Sequence, residues 1–362
     1  MTKNFDPTNL RQFWPMPSQK LPIVTFGAGS ITGDAHFPAY RKAGFPIAGL
    51  YDPNRAKADQ LAAQFDTKVF ASVSDAAAVP NAVFDLATPP DRHAEILAQL
   101  PDGAGVLMQK PLGSDLAMAT EILAICRRKK LRAAVNLQLR FAPIMLALDE
   151  AIKQGALGEI IDIDGWLALA TPWHLWQFLI GLPRIELTMH SIHYIDWIRS
   201  VMGIPLGVQA KSIGHPNHQM AQTRSSAIFD YGGYRKAALS INHDHFFGRR
   251  HQACEFRIYG TRGAAYVQLG VNLDYPKGEP DILQIYPNGG TEWVTVPLQG
   301  AWFPDAFASR MAAVQRYIGG EEAVLVGSVE EAWHTMAIVE AAFAASAGVG
   351  VVPQNIPNLL GN

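Results

Sequence analysis

Cysteine is nearly absent from this chain: its 362 residues carry only Cys126 and Cys254, far apart in the sequence. Two such thiols build neither a disulfide framework nor a cysteine metal cluster, and they suit a reducing cytoplasm. An excess of one charge is lacking too. Thirty basic residues against 32 acidic ones leave a formal net charge of −2, so no basic field favours nucleic acid or an anionic membrane. Long hydrophobic runs are also missing. Asp6, Arg11, Pro15, Pro17 and Lys20 interrupt the start of the chain, which therefore does not read as a signal peptide. The stretch from Ala337 to Val352 is small and apolar, but Glu340 and its glycines leave it short of a membrane span. The expectation is a soluble cytoplasmic protein with a small-molecule partner, no nucleic acid and no membrane.

What is present is an ordinary globular balance, 49% hydrophobic and 17% charged, in a chain long enough for two cores. Short apolar runs at Ile23–Phe26, Ile47–Tyr51, Ala82–Ala87, Gly105–Met108 and Arg132–Val135 alternate with helical segments at His36–Ala43, Pro53–Phe65, Asp91–Leu100 and Asp115–Lys130. That alternation predicts a parallel sheet with helical crossovers. After Arg140 the pattern changes. A helix from Pro143 to Gln154 leads to a strand at Ile160–Ala170, then to an amphipathic helix over Glu186–Met202. Five further strand-like runs follow, at Ala227–Tyr231, Ala237–Asn242, Glu255–Tyr259, Ala264–Leu269 and Ile282–Tyr286. Helices at Asp305–Tyr317 and Val329–Ala344 close the chain. The predicted fold is an α/β Rossmann domain followed by an α+β domain with an open, mostly antiparallel sheet. The expected divisions are an extension at 1–21, a nucleotide-binding domain at 22–141, a substrate and oligomerisation domain at 142–352, and a tail at 353–362.

The first strand runs into Gly27-Ala28-Gly29-Ser30-Ile31. Glycines there permit a tight turn and close approach of the backbone to a pyrophosphate at a helix N-terminus. Thr32 stands where a third glycine is usual, and Gly33 follows. Asp52 ends the second strand, where a carboxylate accepts ribose hydroxyls and repels a 2′-phosphate, so NAD is expected over NADP. Asp52 can equally cap the helix after Pro53, and Arg55 can relax the cofactor preference. Thr88, Pro89 and His93 lie in a loop at a strand end suited to the nicotinamide ribose, or form a stiff turn with Asp91 as a cap. Gln109-Lys110-Pro111 follows a buried-looking strand. Desolvation disfavours an ammonium at such a place, which points to use of Lys110 against a ligand.

With Asn136, Arg140-Phe141-x-Pro143, Gly155-x-Leu157-Gly158, His193-x-x-Asp196 and Gly260-Thr261-x-Gly263 added to these motifs, the chain resembles the glucose–fructose oxidoreductase/inositol dehydrogenase (Gfo/Idh/MocA) family from Pro22 to about Val352. The resemblance implies NAD(P)-dependent oxidation or reduction of sugars and polyols, in homodimers or homotetramers packed through the C-terminal sheet. Two departures stand out. The family's glutamate before Lys-Pro is Gln109, and its aspartate four residues before the catalytic-type histidine is Met189, with His190 alongside.

On that resemblance His193 is the candidate base for the hydroxyl proton, since imidazole accepts a proton near neutrality. Lys110 would polarise the same hydroxyl and stabilise the alkoxide. His190, first among the helical neighbours, would be a second polar contact, with Asp196 and Glu186 as further neighbours. Cofactor contacts are expected from Gly27, Gly29, Ser30, Ile31, Asp52, Arg55, Thr88, Pro89, His93, Gln109, Lys110 and Asn136. Arg140 is either a substrate contact or a salt bridge at the domain junction. Trp166, Trp173, His174, Trp176 and Phe178 offer aromatic faces to a sugar ring, led by Trp173, His174 and Trp176. His243 leads a polar cluster with Asp244, His245, Arg249, Arg250 and His251; its spacing matches no metal site, and a substrate contact is expected. Two other readings stand beside the dehydrogenase: a glycoside-cleaving enzyme that oxidises C3 transiently, and a non-catalytic NAD-binding regulator.

Overall fold

In this computed structural model, residues 5–175, 179–217, 219–274 and 278–351 are described. Strands β1 (Ile23–Phe26), β2 (Ile47–Tyr51), β3 (Val83–Leu86), β4 (Gly105–Met108) and β5 (Arg132–Val135) form a parallel sheet in the order β2-β1-β3-β4-β5. β1, β3 and β4 are buried at every position. That is why they read as continuous apolar runs rather than as alternating ones.

Three of the helices in this part start at a side-chain cap. α1 (Phe37–Ala43) ends on left-handed Gly44. α2 (Arg55–Phe65) is capped by Asn54, whose side chain accepts from the Lys57 amide. Asp52 is therefore not the cap considered above. A short helix absent from the sequence reading, α3 (Val73–Ala77), is capped by Ser72. α4 (His93–Gln99) continues from a 3₁₀ turn at Pro90–Arg92 with no side-chain cap, so Asp91 does not cap it. α5 (Leu116–Arg128) is capped by Asp115.

The second sheet contains β6 (Ile160–Ala168), β7 (Gly207–Ile213), β8 (Arg224–Asp230), β9 (Lys236–Asn242), β10 (Ala253–Gly260), β11 (Ala264–Gln268), β12 (Ile282–Tyr286) and β13 (Val294–Thr295). Its order is β13-β12-β11-β10-β6-β9-β8-β7, antiparallel except where β6 runs parallel to β9. α6 (Pro143–Lys153) leads into it. α7 (Ile192–Met202) crosses its inner face and is preceded by a π turn at Glu186–His190. Its apolar residues gather on one side, as expected of an amphipathic helix, but the polar side is enclosed as well. Nine of its eleven residues are buried, His193, Asp196 and Arg199 among them, because it is enclosed between the sheet and α9 (Val329–Ala347).

α8 (Trp302–Ile318) returns to the first sheet, where Phe307, Met311 and Val314 join a cluster with Ile23, Phe37 and Tyr40. The N-terminal segment is tied to the same region. Gln12 exchanges hydrogen bonds with Pro297 and Gln299, and Leu21 with Gln315. Among the described residues, no helix is long and apolar enough to cross a membrane.

Candidate active site

The glycine turn leaves β1 with Gly27 at φ +109°, and a Cβ there would lie 2.5 Å from the Ala87 carbonyl oxygen. Only glycine fits that position. At Gly29 a Cβ would meet nothing within 4 Å, so its surface faces open space above the turn. Ser30 and Ile31 begin the helix, which passes through a π turn at Thr32–His36. Thr32, in the usual glycine position, donates its hydroxyl to the Gly27 carbonyl and ties the turn together. Asp52 accepts from the Ala28 amide at 2.7 Å and from the Asn54 amide at 2.7 Å. The same carboxylate thus braces the turn against β2 and keeps lone pairs for ribose hydroxyls. Arg55 pairs with Asp59 on the surface and leaves Asp52 uncompensated.

Beneath the turn lies a polar network that sequence reasoning missed. Asp85, fully buried in the middle of β3, receives His36 Nδ1 at 2.8 Å and the Tyr40 hydroxyl at 3.0 Å. His36 Nε2 faces Gln109 Nε2 at 3.0 Å and Asn136 Nδ2 at 3.4 Å. Gln109 Oε1 accepts from the Lys110 amide. With that orientation Gln109 donates to His36, and His36 donates to Asp85. The visible signals were a lone aspartate within a four-residue apolar strand and a histidine–tyrosine pair one helical turn apart. Gln109 uses one bond at each end of its amide inside the protein. His93 is fully buried on the Thr88 carbonyl, so it supports the loop instead of meeting a ligand. Burial pushes its imidazole down to about 4.

Lys110 is half-buried at the end of β4, and its Nζ donates to the Met189 carbonyl at 2.8 Å. Desolvation lowers the amine to about 8. His193 and His190 lie close enough to feel it. Desolvation first, and the Lys110 charge second, hold His193 well below its ordinary value. For His190 desolvation leads again, followed by His243, Lys110 and His193. Both imidazoles are therefore neutral at physiological pH. His190 is half-buried, whereas His193 is 6% exposed and its Nδ1 has no partner.

Trp173 packs edge-on to His190 and His243, with ring centroids 5.3 and 5.4 Å away. His243 is 1% exposed, its Nδ1 lying 2.7 Å from the Thr171 hydroxyl. It stands behind His190 and is not the substrate contact expected. Arg140 takes the alternative role considered for it: it bonds Glu331 at 2.8 Å and Asp196 at 3.5 Å, in a buried cluster with Arg199. Asp196 also accepts from Thr335, so it fastens α7 to α9 and does not orient His193. Trp166 is exposed on the outer face of the second sheet. The His174 side chain, Trp176 and Phe178 lie outside the described residues. Among the described residues, no three His, Cys, Asp or Glu groups are placed to hold a metal ion.

Residues 21–137 match the family model for Gfo/Idh/MocA, described as an oxidoreductase family with an NAD-binding Rossmann fold. The match spans the first sheet and its crossovers, and over that part the chain is similar to the Gfo/Idh/MocA family. It is 27% identical over 196 residues to an uncharacterised oxidoreductase of Synechocystis, covering 50% of this chain and 52% of the relative. Inositol 2-dehydrogenase of Rhizobium meliloti is 28% identical over 268 residues, covering 70% and 78%. A crystal structure of an oxidoreductase from Agrobacterium radiobacter with NAD⁺, L-tartaric acid and magnesium matches with a TM-score of 0.76 at 18% identity, covering 91% of this chain and 97% of that one. The chain spans about half the length, or less, of the first curated relatives it matches.

The residues present fit an NAD molecule. Gly29 opens onto free space, Asp52 ends β2, and Thr88 Oγ1 and Asn136 Oδ1 are buried polar atoms without partners at the carboxyl edge of the sheet. That edge is where nucleotides bind in doubly wound sheets.

Proposed function

We propose that this protein is an NAD-dependent oxidoreductase acting on a secondary alcohol carbon of a sugar, sugar acid or cyclic polyol. One observation carries the reading: Lys110 at the end of β4 and His190 and His193 around the start of α7, from separate parts of the chain, meet at the carboxyl edge of the nucleotide-binding sheet. The Rhizobium relative that acts on inositol supports the polyol class.

When bound, NAD supplies the acceptor for the hydride. His193, neutral through burial, takes the hydroxyl proton; its orphan Nδ1 leaves one ring nitrogen ready for such a bond. Lys110, protonated below about pH 8, holds the oxygen and stabilises the developing alkoxide in a site shielded from water. Trp173 offers an apolar wall beside His190. Thr88 and Asn136 present their unpaired oxygens on the cofactor side. The outer face of the second sheet, with exposed Trp166 and Ile228, is the surface through which homodimers or homotetramers would form.

The test is incubation with NAD and a panel of sugars, sugar acids and inositols while the NADH absorbance band is followed. Lys110→Ala should cost at least about 10²-fold in kcat and leave NADH affinity within about twofold, as read by nicotinamide fluorescence. Silence across the panel with proven NAD binding, or undiminished turnover by Lys110→Ala, overturns the reading. Turnover without added NAD that releases an aglycone would instead mark the glycoside-cleaving alternative. NAD binding with no chemistry on any of these substrates would favour a regulator.

A further inference from the structure

We propose that Glu186 and His243 form a buried carboxylate–imidazole pair that positions His190 beside Lys110, taking the place of the aspartate that this chain lacks at residue 189. The proposal rests on the dehydrogenase reading above and deepens it.

Glu186 is fully buried at the start of the π turn before α7. A carboxylate in such a place requires a compensating proton or cation. Its Oε1 accepts from the Ser191 hydroxyl and lies 3.4 Å from His243 Nε2, an ion-pair distance without a hydrogen bond, and both Oε2 and His243 Nε2 lack hydrogen-bond partners. The π turn is part of this arrangement. Its wider ring brings Ser191 over Glu186, with the Ser191 amide donating to the Glu186 carbonyl at 3.0 Å, where an α-helix would bring residue 190.

His243 reaches the same place from the end of β9 and is fixed from both sides. Its Nδ1 meets the Thr171 hydroxyl at 2.7 Å, and its amide donates to the Thr223 carbonyl at 3.0 Å. The ring thereby turns Nε2 towards Glu186 and lays its face near His190, with centroids 4.7 Å apart at 49°. Trp173 closes over both imidazoles. The rotamer of His190, the half-buried imidazole next to Lys110, is thus set by a pair standing behind it. Met189 contributes only its carbonyl, which the Lys110 amine occupies. The carboxylate one turn earlier reaches His190 only through the His243 ring and adds no charge beside Lys110. Glu186 and His243 are positioning residues; Lys110, His190 and His193 are the groups able to reach a substrate.

The experiment has two arms. In the first, protein labelled with ¹⁵N-histidine is examined by long-range ¹H–¹⁵N correlation at pH 7, with His243→Asn and His190→Asn identifying the two rings. A proton on His243 Nε2 is expected, and Glu186→Gln should change the ring-nitrogen shifts of both His243 and His190. In the second, using whichever polyol of the panel is turned over, Glu186→Gln should lower kcat about 10²-fold with KM within twofold. Met189→Asp placed on the Glu186→Gln background should recover at least tenfold of that loss.

Unchanged His190 and His243 signals in Glu186→Gln overturn the pair whatever the turnover. A variant that loses melting temperature and rises in KM, with no recovery from Met189→Asp, also overturns it, because that is the behaviour of packing alone. Changed imidazole signals in a protein that turns over none of the panel would support the pair while the dehydrogenase reading falls, so the two failures remain distinguishable.

Discussion

Lys110 Nζ donates to the main-chain carbonyl of Met189 at 2.8 Å, and no carboxylate contributes to its environment. A carbonyl orients an ammonium but brings no net charge, so burial dominates and the amine sits at about 8. Lys110 therefore loses its proton as the pH rises through 8, and with it the charge that stabilises an alkoxide. kcat/KM is expected to fall above pH 8. Met189→Asp would place a carboxylate beside the amine and move that alkaline limb up by roughly one to three pH units. A pH–rate profile of both proteins checks this. An unmoved limb would show that Lys110 does not govern it.

The parallel sheet was legible because buried strands leave unbroken apolar runs, as in Val24, Phe26, Leu86, Val106 and Met108. The glycine turn was legible because its chemistry is local. The two π turns were not, since a single wide turn at Thr32–His36 or Glu186–His190 barely disturbs a helical pattern. Pairings between distant segments, such as Asp85 with His36 or Glu186 with His243, leave no trace in either segment alone. Arg140 had two possible partners in the sequence reading. Glu331 settles the matter by arriving from α9, nearly two hundred residues along. Burial on all sides of α7 likewise depends on α9 and could not be read from its own residues.

The two glycines of the turn should separate fold from cofactor. Gly27→Ala forces a side chain at φ +109° against the Ala87 carbonyl 2.5 Å away, and it should destabilise by about 1–3 kcal/mol. Gly29→Ala meets no protein atom, so its melting temperature should stay close to wild type while the Kd for NAD rises roughly tenfold as the methyl occupies pyrophosphate space. Calorimetry and NADH fluorescence titration give the two readouts. Equal NAD affinity in Gly29→Ala would place the pyrophosphate elsewhere.

Arg140→Met tests the ion-pair cluster. Burial alone would raise the Glu331 carboxyl, but Arg140 and then Arg199 hold it down at about 2. Its contribution to stability is thus present above the ordinary carboxylate value near 4.5 and is lost as pH falls towards 2. Removing Arg140 takes one of two arginines from Glu331 and Asp196, which keep Arg199, and Asp196 keeps Thr335, at an expected cost of about 1–3 kcal/mol. Urea denaturation at neutral pH measures the loss. The KM of the folded variant should be unchanged; a raised KM at wild-type stability would return Arg140 to the substrate.

His93 makes the acid side of the stability curve steep. Its ring is fully buried and Nε2 rests on the Thr88 carbonyl at 3.2 Å. Burial lowers it from 6.5 to about 4, against the smaller upward pull of the Thr88 carbonyl and Asp91. Above pH 6.5 both folded and unfolded chains hold it neutral, so it has no effect there. Between 6.5 and 4 the unfolded chain binds a proton that the folded one refuses, and stability falls with falling pH, by about 3 kcal/mol in all. Below 4 its effect is constant. His190 and His193, lowered in the same direction, add to the slope. His93→Gln keeps a donor for the Thr88 carbonyl and removes the titration. Urea unfolding at intervals from pH 7 to pH 4 should then show a slope shallower by about 1.4 kcal/mol per pH unit over the lower part of that range. Parallel curves for the variant and the wild type would mean that His93 takes up its proton as readily folded as unfolded, and that the Thr88 loop opens to let it do so.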